Sequence, residues 1–565
     1  MIVSFYLILK IQYFFMKIQN KLLLYFFTVS LFNCVSKEKE TTTRTSTPKL
    51  VIGIVVDQMR YDYLQRFNSK YGEGGFKRLL NQGFSLENAH YNYIPTYTAV
   101  GHASIFTGTT PDNHGIIGNY WYDKYLKKSI YCVDDDRHTT VGNDGKGGKK
   151  SPYRMFTTTI SDQLKLAQNM KGKTIGIGIK DRSAILPAGH TADAAYWFDG
   201  GSVGHWISSS FYMNNLPNWV NKFNSLGKAD EYLSKPWNTL YDISTYTESI
   251  ADDNNFEETF KGEEKPVFPH DIPSLRDKNN NYSIIKAIPA GNSITTDFAI
   301  AAIEGEKLGQ NDYTDFLTLS YSSTDYVGHQ FGVDSKEIQD TYLRLDKDLE
   351  RLFTFLDTNV GKNNYTIFLT ADHAAVQVPA YLNSVKIPAN YLAGKKLTNF
   401  IKTKTKEKFN NDNLIENVSN FQVFLNKEEI KKARLSANGV SNYIVEEVIN
   451  FDGIYKAVTA KAMQENYFEY GIMSSLQKGY NQKLSGDVLL IPNPSTIIYP
   501  KKGSTHGSGY SYDTHIPIIF YGNGIKFGKT AKKYEIIDIA PTIATMLKVE
   551  FPNGSTGKVI EEALK

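Results

Sequence analysis

Cysteine is nearly missing from this chain, which holds only Cys34 and Cys132 in 565 residues. Two thiols cannot build a disulfide scaffold or a cysteine-rich metal site. A surplus of one charge is missing as well, since 63 Lys and Arg stand against 59 Asp and Glu, a formal net charge of +4. That balance gives no broad basic field, and so no case for a nucleic-acid partner. There is no internal repeat, and no second transmembrane span follows the N-terminal apolar run. Aromatic residues, by contrast, are plentiful, with 37 Tyr and 32 Phe. They read as core and surface packing rather than as a stacking platform for sugars or bases. With 41% hydrophobic residues, the chain can build one large α/β domain with insertions.

Cys34 directly follows the apolar run of residues 22–32, which Lys17 and Lys21 precede. A basic flank, a short apolar core and a processing site are the layout of a secretory signal. Met16 is an alternative start to Met1. From Met16 the segment resembles a bacterial lipoprotein signal with Cys34 as the lipidated residue, although Asn33 stands where Gly, Ala or Ser is usual. The plainer reading is an ordinary signal peptide or a single N-terminal anchor. Residues 1–34 are therefore expected to direct export to the periplasm or cell envelope, with membrane attachment if Cys34 is lipidated. Cys132 would then be a buried, unpaired thiol. Residues 35–49 contain K-E-K-E-T-T-T-R-T-S-T-P-K and read as a flexible tether.

The folded part opens abruptly at residues 50–56, L-V-I-G-I-V-V. A short, continuous, β-branched apolar run is typical of a buried parallel strand. Similar runs occupy residues 174–179, 315–320, 365–370 and 516–521. Helical patterns fall between some of them, as in residues 336–356, where Leu343, Leu345, Leu349, Leu352 and Phe353 recur at helical intervals. The alternation predicts an α/β fold with a mostly parallel central sheet and helices on both faces. Residues near 191–290 and 380–480 break the rhythm and read as inserted cap segments. Residues 50–565 are thus expected to form a single domain.

Four apolar runs lead into groups that bear on chemistry. Asp57 follows residues 50–56, and Asp325 and His329 follow the run at 315–320. Asp372 and His373 follow the run at 365–370, and Lys180, Asp181 and Arg182 follow the run at 174–179. Ligands of open α/β sheets gather beyond the carboxyl ends of strands, so these groups are placed to converge. Each also has a bland reading. Asp57 alone suits a helix N-cap. Asp325 and His329, four apart, would share one helix face, as would any surface pair. K-D-R alone is a solvated charged turn. His506, in G-S-T-H-G-S-G-Y, alone is a solvated loop histidine. His102, His114, His190, His205 and His515 sit in suggestive contexts too. Between these lies a small-residue stretch, residues 91–120, with Thr98 at its head and Asn119 in a glycine-rich turn near its end. Hydroxyl, amide and backbone donors close together suit an anionic, tetrahedral substrate.

The ordered set V-V-D, P-T-Y-T-A-V-G-H-A-S, G-I-I-G-N, I-K-D-R-S-A-I-L-P-A-G-H, S-S-T-D-Y-V-G-H, T-A-D-H and T-H-G-S resembles the alkaline phosphatase superfamily. It is most similar to the bacterial phosphate-irrepressible, PafA-type enzymes, over essentially the whole chain after the tether. The resemblance implies two Zn²⁺ per chain. Asp325, His329 and His506 would hold one. Asp57, Asp372 and His373 would hold the other, with Thr98 as its fourth partner. Imidazole and carboxylate suit zinc. Thr98 would be the nucleophile of a phosphothreonine intermediate, and Asn119, Lys180 and Arg182 would bind the phosphoryl oxygens. The expected reaction is hydrolysis of small-molecule phosphate monoesters, because Lys180 and Arg182 favour a doubly charged phosphoryl group. The nearest alternative is a phosphodiesterase or nucleotide pyrophosphatase of the same superfamily. A sulfatase is disfavoured, since Cys132 is not followed by the C-x-P-x-R pattern of that family. A cofactor-independent phosphoglycerate mutase is disfavoured by the export signal and the threonine. A surface-anchored binding lipoprotein with vestigial residues predicts a broken ligand set, yet each position is filled.

Overall fold

The computed structural model describes residues 10–14, 16–17, 47–201 and 203–565. The expected signal core at 22–32, Cys34 and most of the tether lie outside the described residues. Residues 10–14 and 16–17 are helical and belong to a unit, Met1–Ser46, separate from Thr47–Lys565. Among the described residues no helix is long and apolar enough to cross a membrane.

The second unit is built on an 11-stranded sheet. Its middle strand, β1 (Leu50–Val56), is buried at every position. Two-sided burial is what a continuous apolar run encodes. The labelled strands of this sheet are β2 (Phe84–His90), β3 (Thr174–Gly178), β4 (Ala194–Asp199), β5 (His205–Ser209), β6 (Asp315–Tyr321), β7 (Tyr365–Thr370) and β8 (His515–Gly522). In space the order runs β2-β8-β7-β1-β6-β3-β4-β5, with short strands at both edges. The five strands β7-β1-β6-β3-β4 are parallel. Their carboxyl ends therefore open on one side, and helices cover both faces.

One expected parallel strand runs the other way. β8 is antiparallel to both β7 and β2. Its apolar run reports burial on two faces, which direction does not alter. A second difference concerns residues 191–290. Residues 194–209 supply β4 and β5 of the central sheet. The remainder forms short helices and turns whose Val220, Phe223, Trp237 and Phe260 join the main core. Residues beyond 380 build a separate four-stranded antiparallel sheet, ordered Ile415–Ser419, Gln422–Leu425, Val488–Pro492, Ile454–Thr459. Leu397, Ile401, Val423, Val440, Ile444 and Val488 make its own small core.

Four helices matter for the site. They are α1 (Thr98–Thr107), α2 (Asp181–Ala188), α3 (Ser323–Phe331) and α4 (Lys336–Leu356). Every residue of α1 is buried, and Gly108, at φ 66°, ends it. Gly108 supplies the left-handed turn that stops a helix. α1 lies directly on the end of β7, since a Cβ at Gly101 would sit 2.1 Å from the carbonyl oxygen of Asp372. In an open helix interior, Gly to Ala is a gain. Here Gly101→Ala is expected to cost about 1–3 kcal/mol through overpacking, read as a lower urea midpoint. A midpoint equal to or above that of the wild type would show that the contact is loose.

Candidate metal and phosphoryl site

Thr98 opens α1 with only 1% of its surface exposed. The helix has no side-chain cap of its own. Asn119 provides one from a distant turn, its Oδ1 accepting the Ala99 N–H at 2.9 Å. With its oxygen committed, the amide keeps its NH₂ group to donate. Lys180 ends the turn after β3 and is the N-cap of α2. Its Nζ lies 2.6 Å from Asp57 Oδ2, 2.6 Å from Asp325 Oδ2 and 3.5 Å from Thr98 Oγ1. Burial alone would lower the Lys180 pKa, but Asp325 and Asp57 outweigh it and hold the ammonium above its ordinary value. Arg182, two residues on, donates to the Tyr131 hydroxyl at 3.0 Å, and that hydroxyl donates to Asp181 Oδ1 at 2.5 Å. The K-D-R segment is thus half-buried and committed, not a solvated turn.

The acids and imidazoles converge as strand topology requires. Asp325 and His329 share one face of α3, with His329 Nε2 3.1 Å from Asp325 Oδ1. His506 Nε2 approaches the same oxygen at 3.6 Å. His373 Nε2 lies 3.4 Å from Asp57 Oδ1 and 3.5 Å from Asp372 Oδ2. Two trios bring ligand atoms within 4.8 Å of one another: Asp57, Asp372 and His373, and Asp325, His373 and His506. His373 stands at the junction, its ring stacked on that of His506 at 3.4 Å between centroids.

Each of these histidines is oriented by a main-chain carbonyl. Nδ1 of His329 donates to Ser504 O at 2.7 Å, that of His506 to Thr96 O at 2.7 Å, and that of His373 to Ala374 O at 3.1 Å. A carbonyl only accepts, so the proton is on Nδ1 and Nε2 carries the free lone pair. Asp57 Oδ1, Asp372 Oδ2 and His373 Nε2 are buried with no hydrogen-bond partner. Orphaned buried polar atoms are rare without a ligand. Carboxylate oxygens and imidazole nitrogens are a matched donor set for zinc, so these residues fit the implied metal.

Burial, then the neighbouring Asp372 carboxylate, raises the Asp57 pKa, and burial pushes Asp372 up to about 7. Burial also lowers His506 to about 3 and depresses His373, which keeps both rings neutral and ready to ligate. Asp325 is held below its usual range, against burial, by His329 and Lys180.

Sequence reasoning did not assign Gln58. Its N–H donates to Asp372 Oδ1 at 3.1 Å and its Nε2 to Asp325 Oδ1 at 2.8 Å. One residue thus ties together carboxylates of both trios. It does so from φ 63°, a left-handed conformation costly for a non-glycine residue. Gly328 makes room for it, because a Cβ there would lie 1.9 Å from Gln58 Oε1. Its position right after Asp57 was the only signal. His102 also joins the site. Its Nδ1 is 2.9 Å from Thr98 O and 3.3 Å from Asp372 Oδ2, and its Nε2 is 3.0 Å from Ser320 Oγ. His114, His190 and His515 instead bond Ser104, Thr157 O and Glu87 O.

The raised pKa of Asp372 makes its own contribution to metal-free stability fall as pH rises from about 4 through about 7, while His506 and His373, held below their ordinary range, contribute in the opposite sense. The Asp372 part is therefore read as a difference: in thermal melts of metal-free protein, Asp372→Asn should gain stability relative to the wild type as pH rises through this window. Zinc competes with the same protons, so its stabilisation of the wild type should grow across the window. A difference between wild type and variant that does not change with pH would contradict the reading.

The sequence model for type I phosphodiesterase / nucleotide pyrophosphatase matches residues 51–515. The chain is 48% identical over 522 residues to a calcium-transporting ATPase of Myroides odoratus, covering 92% of this chain and 95% of that one. It is 46% identical over 527 residues to the alkaline phosphatase PhoV of Synechococcus elongatus, covering 92% and 93%. Alkaline phosphatase PafA of Elizabethkingia meningoseptica is 43% identical over 527 residues, covering 93% and 96%. A crystal structure of PafA matches with a TM-score of 0.89 over 92% of this chain and 99% of that one. The fold, the order of the motifs and these likenesses agree: the chain belongs to the type I phosphodiesterase / nucleotide pyrophosphatase family and, within it, to the PafA-type alkaline phosphatases.

Proposed function

We propose that this protein is a zinc-dependent phosphate monoester hydrolase acting through a phosphothreonine at Thr98, and that it releases inorganic phosphate from a broad range of small monoesters. The observation that carries the reading is the buried Lys180 ammonium, within 3.5 Å of Thr98 Oγ1 and 2.6 Å from Asp57 and Asp325. Two Zn²⁺, one held by Asp325, His329 and His506 and the other by Asp57, Asp372, His373 and Thr98, would supply Lewis acidity for the attacking and leaving oxygens.

The chain's own residues do the rest. A threonine hydroxyl is a weak nucleophile unless activated. Thr98 sits in the first turn of α1, where the helix dipole favours negative charge. Its Oγ bonds to phosphorus as the ester P–O bond breaks, and the hydroxyl proton ends on the departing alcohol. The Asn119 NH₂, Lys180 and Arg182 bind the remaining phosphoryl oxygens with charge-assisted hydrogen bonds. Water then displaces Thr98 in a second step, so configuration at phosphorus is retained. Two cations beside the phosphoryl group favour a monoester over a diester, which carries one charge fewer. The pattern of residues 1–34 adds export, with Cys34 as the candidate lipid anchor.

A diesterase is the second reading. The family description names one, and a cavity of about 290 Å³ beside His506 offers space for a second ester substituent. Tyr97, Phe421, Leu489 and Tyr512 are among its lining residues.

Comparing kcat/KM for an aryl phosphate and the matched aryl methyl diester decides between them. The monoester is expected to turn over faster, and Lys180→Ala should lower its kcat/KM by about 10²–10³-fold while narrowing the gap to the diester. Faster diester turnover by the wild type would overturn the assignment. Thr98→Ala should abolish the phosphoenzyme in acid-quenched samples analysed by mass spectrometry. A phosphorylated residue elsewhere would remove Thr98 as the nucleophile.

A further inference from the structure

Asp513 is a buried acid that belongs to neither trio of ligands. It sits in a short helical turn, Ser511–Thr514, that leads straight into β8. Burying a carboxylate is costly unless donors satisfy it. Here three donors meet on one oxygen. The Gly507 N–H reaches Asp513 Oδ2 at 3.1 Å, the Ser508 N–H at 2.8 Å and the Ser508 hydroxyl at 2.6 Å. Hydrogen bonds to an ionised acceptor are the strong ones. The other oxygen, Oδ1, has no partner, so all of the side chain's hydrogen bonding goes to these two residues.

Gly507 and Ser508 follow His506 directly. The Gly507 N–H is part of the rigid peptide plane that joins Gly507 to His506, so its bond to Asp513 fixes the rotation of that plane. Gly507 adopts φ 126°, and a Cβ there would lie 2.5 Å from Tyr97 Cε1. The loop is thus held between Tyr97 and Asp513. Thr96 closes it from the Tyr97 side. Its hydroxyl donates to Ser508 O at 2.9 Å, and its carbonyl accepts from His506 Nδ1 at 2.7 Å. The main chain of Asp513 reaches the second imidazole. Its carbonyl accepts the Ala374 N–H at 2.9 Å, which lies in the peptide plane after His373. Ala374 O in turn accepts from His373 Nδ1 at 3.1 Å.

We propose that Asp513 is a positioning residue for the metal centre, its carboxylate aiming the His506 ring and its carbonyl the His373 ring. The role rests on the zinc centre proposed above. The two rings stack with centroids 3.4 Å apart. Each keeps Nε2 turned to carboxylates, His506 to Asp325 and His373 to Asp57 and Asp372. Groups beyond the ligands are what fix a ligating ring in such an orientation. Asp513 gives both rings one frame, because β8 pairs along β7, the strand that ends at Thr370 just before Asp372 and His373. Its two supports are separable. The carbonyl survives any substitution at this position, whereas the carboxylate does not. Loss of the side chain should therefore disturb His506, and with it the zinc shared with Asp325 and His329, and spare His373.

The test strips full-length protein with EDTA and titrates it with zinc against a chromophoric chelator, which reads the affinity of each ion without reference to activity. Wild-type protein should bind two zinc ions, and His506→Ala should weaken one of them. Asp513→Ala should weaken one ion by about 10–100-fold and leave the other within about twofold. Added to His506→Ala, it should cost less than about twofold more, because it acts through that ring. If Asp513→Ala folds poorly, Ser508→Ala serves in its place. It removes the shortest of the three bonds and should weaken the same ion by about threefold. A residue that only stabilised the loop would weaken both ions alike or neither, and either result would overturn the proposal. So would a full further loss from Asp513→Ala in the His506→Ala background. Wild-type protein that binds no zinc, or a His506→Ala variant that binds both ions normally, would overturn the zinc centre and this role with it.

Discussion

Three carboxylates, Asp57, Asp325 and Asp372, are held together in the interior against their mutual repulsion. Much of the surrounding structure serves to make that arrangement tolerable. The parallel core of the sheet delivers the acids to one side, because β1, β6 and β7 end together. Lys180 places its ammonium between two of them. Gln58 donates to two of them from a strained backbone. What these groups leave unsatisfied, the orphaned oxygens of Asp57 and Asp372, is the part of the problem that a metal ion answers. The same tension that disfavours the metal-free fold makes the site selective for cations.

Thr98 is positioned by a related economy of contacts. Thr98 stands at the start of a wholly buried helix pressed on the end of β7. The cap that this helix lacks comes from Asn119, so the amide that orders the helix is also the amide left free to donate to an anion. The cap sheet takes part as well. Asn420, at φ 51° in the turn between two of its strands, donates to Tyr120 O, next to Asn119. The inserted sheet therefore touches the turn that carries Asn119 and is not merely set above it.

Much of this was legible in the sequence, for identifiable reasons. Residues 50–56 announce a strand buried on two faces because no polar residue interrupts them. Asp325 and His329 announce a shared helix face because their spacing is four. The direction of β8 was not legible, since an apolar run is the same read either way. β4 and β5 were hidden in a stretch whose overall composition is polar. Gln58 was invisible because its role rests on a positive φ, and nothing in V-V-D-Q signals one. The pairing of His373 with His506 is likewise tertiary, joining a residue just past β7 to one in a loop over a hundred positions later.

Thr96, Ala374 and Ser504 orient the three histidines through their carbonyl groups. Every amino acid carries that carbonyl. The outer layer of the centre is therefore a matter of backbone path, and the side chains at these positions act by holding that path: Thr96 and Ser504 are buried, with hydroxyls that donate to Ser508 O and Val376 O. An insertion or deletion of one residue nearby would shift a carbonyl and turn a ring away. The geometry of the centre is thus exposed above all to changes in loop length.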